Sequence, residues 1–124
     1  MKQTIHTDKA PAAIGPYAQA QKVGDLIFTS GQLGIDVEKG ALAEGVEAQA
    51  HAAMKNLGQI LSAAGAGYAN ILKTTIFVKD LADFATVNQV YAGYFEGDYP
   101  ARSCVQVAAL PMGGLVEIEA VAKI

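Results

Sequence analysis

Two apolar strands near the end of the chain carry charges that a protein core does not accept without a partner. The segment Pro100-Ala101-Arg102-Ser103-Cys104-Val105-Gln106-Val107 reads as a strand with a guanidinium near its start. The segment Val116-Glu117-Ile118-Glu119-Ala120-Val121-Ala122 reads as a second, with carboxylates where a core would hold hydrocarbon. One such charge buried alone costs on the order of 3–5 kcal/mol. The fold must either pair these charges or open them onto a site for something small and charged.

The rest of the chain supplies a scaffold. Val46, Ala50, Ala53, Met54, Leu57, Ile60, Leu61 and Ala64 recur at steps of three and four, one apolar helical stripe stopped by Gly65 and Gly67. Tyr17 to Val23 and Leu26 to Ser30 read as strands around a Gly24-Asp25 turn, and 34–43 as an irregular loop. Ile71 to Lys79 alternates as a strand, with Leu72, Thr74, Ile76 and Val78 on one face. Asp80 is placed to cap a second helix whose buried stripe is Phe84, Val87, Tyr91, Tyr94 and Phe95. The order is three strands, helix, strand, helix, two strands. This predicts an α+β domain spanning 1–124, one mixed six-stranded sheet with two helices on one face.

No segment remains to cover the other face of that sheet. Hydrophobic residues make up 52% of the chain and charged ones only 17%, against about 25% charged in an average soluble protein. Both observations predict a closed symmetric homo-oligomer. With 9 basic and 12 acidic residues, a net charge of −3 and no basic cluster, the chain lacks the footprint that nucleic-acid binding requires. A single Cys excludes an intrachain disulfide and argues against a Cys-rich metal site. No stretch approaches the ~18 consecutive apolar residues of a membrane span, and Met1 to Asp8 lacks the apolar run of a signal peptide. The expectation is a cytoplasmic protein with no membrane or nucleic-acid partner.

Strand alternation puts Arg102, Cys104 and Gln106 on one face, and Glu117, Glu119 and Val121 on one face of the last strand. If the two strands pair as a hairpin, a cross-strand Arg–Glu ion pair is one reading. The other is that Arg102 offers its bidentate fork to a substrate carboxylate, with a nearby Glu acting as acid or base toward water. Cys104 reads more simply as a small buried hydrophobe than as a nucleophile, since His6 and His51 are isolated from it in the pattern. Tyr17 and Ser30 at strand ends, and Asn88 beside the buried stripe of the second helix, fit ordinary hydrogen bonding as well as a site.

Several spaced segments together resemble the RidA (YjgF-type) family of reactive-intermediate deaminases from end to end. They are Ala13-Ile14-Gly15-Pro16-Tyr17, Phe28-Thr29-Ser30-Gly31-Gln32, Lys73 to Leu81, Phe84-Ala85-Thr86-Val87-Asn88, Pro100 to Val105, and Val116 to Ala120. The resemblance implies a chorismate-mutase-like fold, a homotrimer with pockets between subunits, and no metal or organic cofactor. It implies hydrolysis of 2-imino acids and their enamine tautomers to 2-keto acids and ammonia. Carried onto this chain, Arg102 is the carboxylate clamp and Glu117 the group that positions or activates water. Gly31 and Cys104 contribute backbone, and Tyr17, Ser30 and Asn88 complete the pocket. The chain departs from the family pattern at Gln106, often Glu, at Ala109, often basic, and near Met112, often Lys. A holdase, a non-catalytic 2-keto-acid-binding protein and an endoribonuclease-type translation inhibitor are the alternative functions the family suggests.

Overall fold

The structure is a computed structural model describing residues 1–124. Strands β1 (Gln3–Ile5), β2 (Ala20–Val23), β3 (Leu26–Thr29), β4 (Gln32–Leu33), β5 (Ile35–Asp36) and β6 (Ala41–Leu42) precede helix α1 (Val46–Ala63). Strand β7 (Ile71–Val78), helix α2 (Phe84–Ala92), and strands β8 (Ala101–Gln106) and β9 (Val116–Lys123) complete the chain.

The stripe on α1 is the core. Ala50, Ala53, Met54, Leu57, Ile60 and Leu61 are buried against Ile76, Val78, Val116 and Ile118 of the sheet, with Val87, Val90 and Tyr91 of α2 in the same cluster. Gly65 takes a positive φ of 86° just past the helix, the left-handed conformation that ends helices. Asp80 does not cap α2 directly. Its carboxylate accepts from the Ala82 N–H in a 3-10 turn over Leu81–Asp83 that leads into the helix. The helix stops at Ala92, so Tyr94 and Phe95 pack on the core from the following turn.

The main sheet runs β1-β2-β3-β9-β7-β8, with β4 also pairing β9. It holds seven strands rather than six, because the chain breaks at Ser30-Gly31 and resumes along the same edge of β9. The 34–43 segment is not wholly irregular either, since β5 and β6 form a small hairpin of their own. Every pairing in the main sheet is antiparallel except β7 with β8, which α2 joins as a crossover. The closing strands therefore do not pair as a hairpin, the condition on which a cross-strand Arg–Glu pair depended. Strand β7 lies between β8 and β9, so they share no hydrogen bond. A register shift between Ile71 and Lys73 also turns Leu72 outward, and Ile71 takes the buried place expected of it.

Both helices lie on one face of the sheet. Residues on the other face remain open, among them Val23, Phe28 at 46% exposure and Val105 at 44%. These apolar side chains are exposed to solvent in the single chain. No helix is long and apolar enough to cross a membrane.

Candidate functional site

Register places Arg102 beside Thr74, and Thr74 beside the buried Ala120, on the helix-covered face. There Arg102 meets α2, where Phe84, Asn88 and Tyr91 stand at steps of four and three on one helix face. Arg102 donates from Nη1 to Asn88 Oδ1. Its Cζ lies 5.4 Å from the centre of the Phe84 ring and 5.3 Å from that of Tyr91. The Tyr91 hydroxyl is in turn 2.7 Å from the hydroxyl of Thr74. The ion pairs of the chain are His6–Asp8 and Lys123–Asp25, so Arg102 has no carboxylate partner. The cross-strand Arg–Glu pair does not form. A guanidinium carries five N–H donors in a fixed fork, and only the contact to Asn88 engages them within the chain.

Glu117 faces the other way. It sits between the buried Val116 and Ile118, so its side chain emerges on the open face, beside Phe77 of β7. Gly31, at the break between β3 and β4, presses against it. A methyl group there would stand 2.7 Å from Glu117 Cδ, so any larger residue would displace the Glu117 side chain. Burial pushes the Glu117 carboxyl above its ordinary range, and the like charge of Glu119 on the same face pushes it further. The Glu117 carboxylate has no ion-pair partner within the chain, whose ion pairs are His6–Asp8 and Lys123–Asp25, and accepts no hydrogen bond from it.

The remaining candidates divide between these two regions. Ser30 adjoins Gly31, donating from Oγ to the Ala18 carbonyl at 2.6 Å and from its backbone N–H to Gln19 at 2.9 Å. Tyr17 is exposed in the preceding loop, where its hydroxyl accepts from the Ile14 N–H at 3.4 Å. Asn88 and Cys104 lie with Arg102. Burial raises the Cys104 thiol, more than the neighbouring Arg102 lowers it, which keeps the sulfur protonated and unsuited to nucleophilic attack. Strand β8 is an edge, and Val107 N–H bonds to Val78 across the ladder. Alternation therefore turns the N–H and C=O of Arg102 and Cys104 outward, unpaired by any strand of this chain.

One chain thus does not bring all the candidates together. Tyr17, Ser30, Gly31 and Glu117 gather on one side, and Asn88, Arg102 and Cys104 on the other, with β7 between them. Sequence pattern did not mark Thr74, Phe84 and Tyr91 as neighbours of Arg102, because each reads as ordinary core on its own element. The spacing of Phe84, Asn88 and Tyr91 on one face was the available signal. Two clefts elsewhere, of about 670 Å³ between α1 and the β5–β6 hairpin and about 390 Å³ between α1 and α2, contain none of these site residues.

The endoribonuclease L-PSP family model matches residues 7–124. A mouse protein named 2-iminobutanoate/2-iminopropanoate deaminase is 53% identical over 98% of this chain and 91% of its own length. A Salmonella typhimurium protein of the same name is 51% identical, covering 98% of each. The chain belongs to the RidA (YjgF-type) family. Among solved structures, RidA from an Antarctic Psychrobacter superposes with a TM-score of 0.96 at 50% identity, over 98% of this chain and 99% of that one. E. coli TdcF with bound serine superposes with a TM-score of 0.95 at 44% identity over 98% of both chains. The RidA resemblance read from the spaced segments therefore holds across the whole sequence.

Proposed function

We propose that this RidA-family chain is a hydrolytic deaminase of small 2-imino acids, working as a chorismate-mutase-like homotrimer. Its pocket joins the Arg102 side of one copy to the Glu117 side of the next. The observation that carries this reading is the Arg102 guanidinium, held by rings and a neutral amide with no carboxylate beside it. That arrangement leaves its fork for a substrate carboxylate. Relatives near 50% identity named for 2-iminobutanoate and 2-iminopropanoate support the substrate class. The apolar residues on the open sheet face support assembly, and the separation of the two residue groups requires it.

In this pocket the substrate carboxylate sits on Arg102, and the outward N–H of Cys104 and the backbone of Gly31 hold its polar ends. Tyr17, Ser30 and Asn88 complete the walls. Glu117 as carboxylate takes a proton from water while the water oxygen bonds to the imine carbon. The C=N electron pair moves to nitrogen, which receives the proton from Glu117 and gives a carbinolamine. A second proton moves from the hydroxyl to nitrogen by way of Glu117, the C–N bond breaks, and ammonia leaves a 2-keto acid. An enamine substrate first takes a proton on carbon and gives one up from nitrogen, which makes the imine. General acid–base assistance of this kind is worth ~10²–10⁴-fold.

The test adds the protein to a threonine dehydratase reaction and follows keto-acid release. Acceleration that Arg102→Ala abolishes is the expected result; no acceleration at any concentration overturns the reading. A purely 2-keto-acid-binding protein shares the clamp but predicts no acceleration. A holdase predicts client protection that survives Arg102→Ala. Endoribonuclease chemistry finds little support in the site, because His6 is tied to Asp8 and His51 to Tyr94, away from both halves.

A further inference from the structure

The reading above gives Thr74 and Tyr91 no role, yet both bear on Arg102. Thr74 is the ladder neighbour of Arg102 and is wholly inaccessible to solvent, at 0% exposure. The only side-chain hydrogen bond of that hydroxyl is the one to Tyr91, at 2.7 Å. A valine would fill the same space in a strand without needing a partner, so the hydroxyl answers a need other than packing. Tyr91 is held at two points. Its ring packs 4.9 Å from that of Phe95, and its tip is tied to Thr74. These two contacts hold the ring beside the guanidinium, 5.3 Å from its Cζ.

The chemistry of the partners matters as much as their rigidity. An Asp or Glu at the position of Asn88 or Tyr91 would steady Arg102 equally well. It would also form an internal ion pair and compete with any incoming carboxylate. Aromatic faces stabilise a cation through the ring quadrupole and occupy none of its N–H donors. Asn88 takes a single donor and brings no charge. Together these contacts fix the orientation of the fork while leaving its charge uncompensated.

We infer that Thr74 and Tyr91 are positioning residues. Their hydroxyl–hydroxyl bond holds the Tyr91 ring against Arg102, and so sets the affinity of the pocket for a monoanionic carboxylate. The inference rests on the proposed clamp role of Arg102. It assigns these two residues an effect on substrate binding and none on the proton transfers at Glu117.

The test is calorimetric titration of the assembled protein with 2-oxobutanoate, together with steady-state kinetics. The double variant Thr74→Val/Tyr91→Phe removes both hydroxyls, so neither is left buried without a partner. Its dissociation constant and KM are expected to rise about tenfold, the scale of a small misplacement of a binding group, with kcat within about twofold of wild type. Thr74→Ser keeps the hydroxyl and should bind as wild type does. Tyr68→Phe is the control. It removes another partly buried tyrosine hydroxyl, one that donates to the Met54 carbonyl at 2.7 Å, and should leave affinity unchanged. Tyr91→Phe alone reads in the same direction and serves if the double variant does not fold. Wild-type affinity in the double variant, or an equal loss in Tyr68→Phe, overturns the inference while leaving the clamp intact. Equal binding by wild type and Arg102→Ala overturns the clamp itself.

Discussion

Arg102 and Glu117 are both charges set in strands of one sheet, and their surroundings within the chain are opposite. Arg102 is finished within its own chain, with an amide and two rings, one of them the anchored Tyr91, fixing its place. Glu117 is unfinished. It has a glycine pressed against it, a like charge on the same face and no hydrogen-bond partner in the chain. The cation is preorganised by neutral groups that leave its charge free, whereas the carboxylate awaits whatever covers the open face. A binding group benefits from the first arrangement. A proton-transfer group benefits from the second, because desolvation lifts a carboxyl toward the pH at which it must work.

Loss of the carboxylate separates the two halves most sharply. Glu117→Gln is expected to lower kcat by ~10²–10⁴-fold, while 2-oxobutanoate affinity stays near wild type; a matching loss of affinity would merge the halves into one role. Gly31→Ala follows, because its new methyl overlaps the Glu117 side chain. Turnover should fall by about 10²-fold, the scale of a 1 Å misplacement at a reacting group, and a crystal structure of the variant should show the carboxylate moved. Asn88→Asp attacks the other half by giving Arg102 an internal anion. KM should rise about tenfold, as expected of a competing charge-assisted contact, with kcat nearly unchanged. Glu119→Gln is the mildest. Glu117 works as a carboxylate, so activity rises as pH rises through its raised pKa. Removing the Glu119 charge lowers that pKa, and the acid limb of the kcat profile should move to lower pH. A limb that stays in place or moves upward contradicts the electrostatic account.

The sequence pattern revealed elements better than neighbours. The α1 stripe and the apolar alternation of β9 are local signals, and both appear as read. Adjacency in sequence left open whether the closing strands form a hairpin. The parallel pairing of β7 with β8 is a long-range contact that no local pattern encodes. The same insertion undid the Arg–Glu pair, which required β8 and β9 to touch. A one-residue shift at Leu72 and the two-residue strands β5 and β6 fall below what alternation can resolve. Charge inside apolar strands pointed to Arg102 and Glu117, because such residues need a reason to be there. Phe84 and Tyr91 carried no comparable mark. An aromatic residue on a buried stripe looks like core whether or not a cation lies against it.

The central claim is that one pocket draws Arg102 and Glu117 from different copies, and subunit mixing tests it directly. Arg102→Ala and Glu117→Gln chains, each inactive alone, are unfolded and refolded together into mixed assemblies, and deamination is measured. A pocket between copies predicts recovery. Where an Arg102-intact chain adjoins a Glu117-intact one, the site is whole, which for random mixing in a cyclic assembly is about a quarter of all pockets. Mixed assemblies that form, as shown by mass, and yet remain as inactive as either parent would contradict the account.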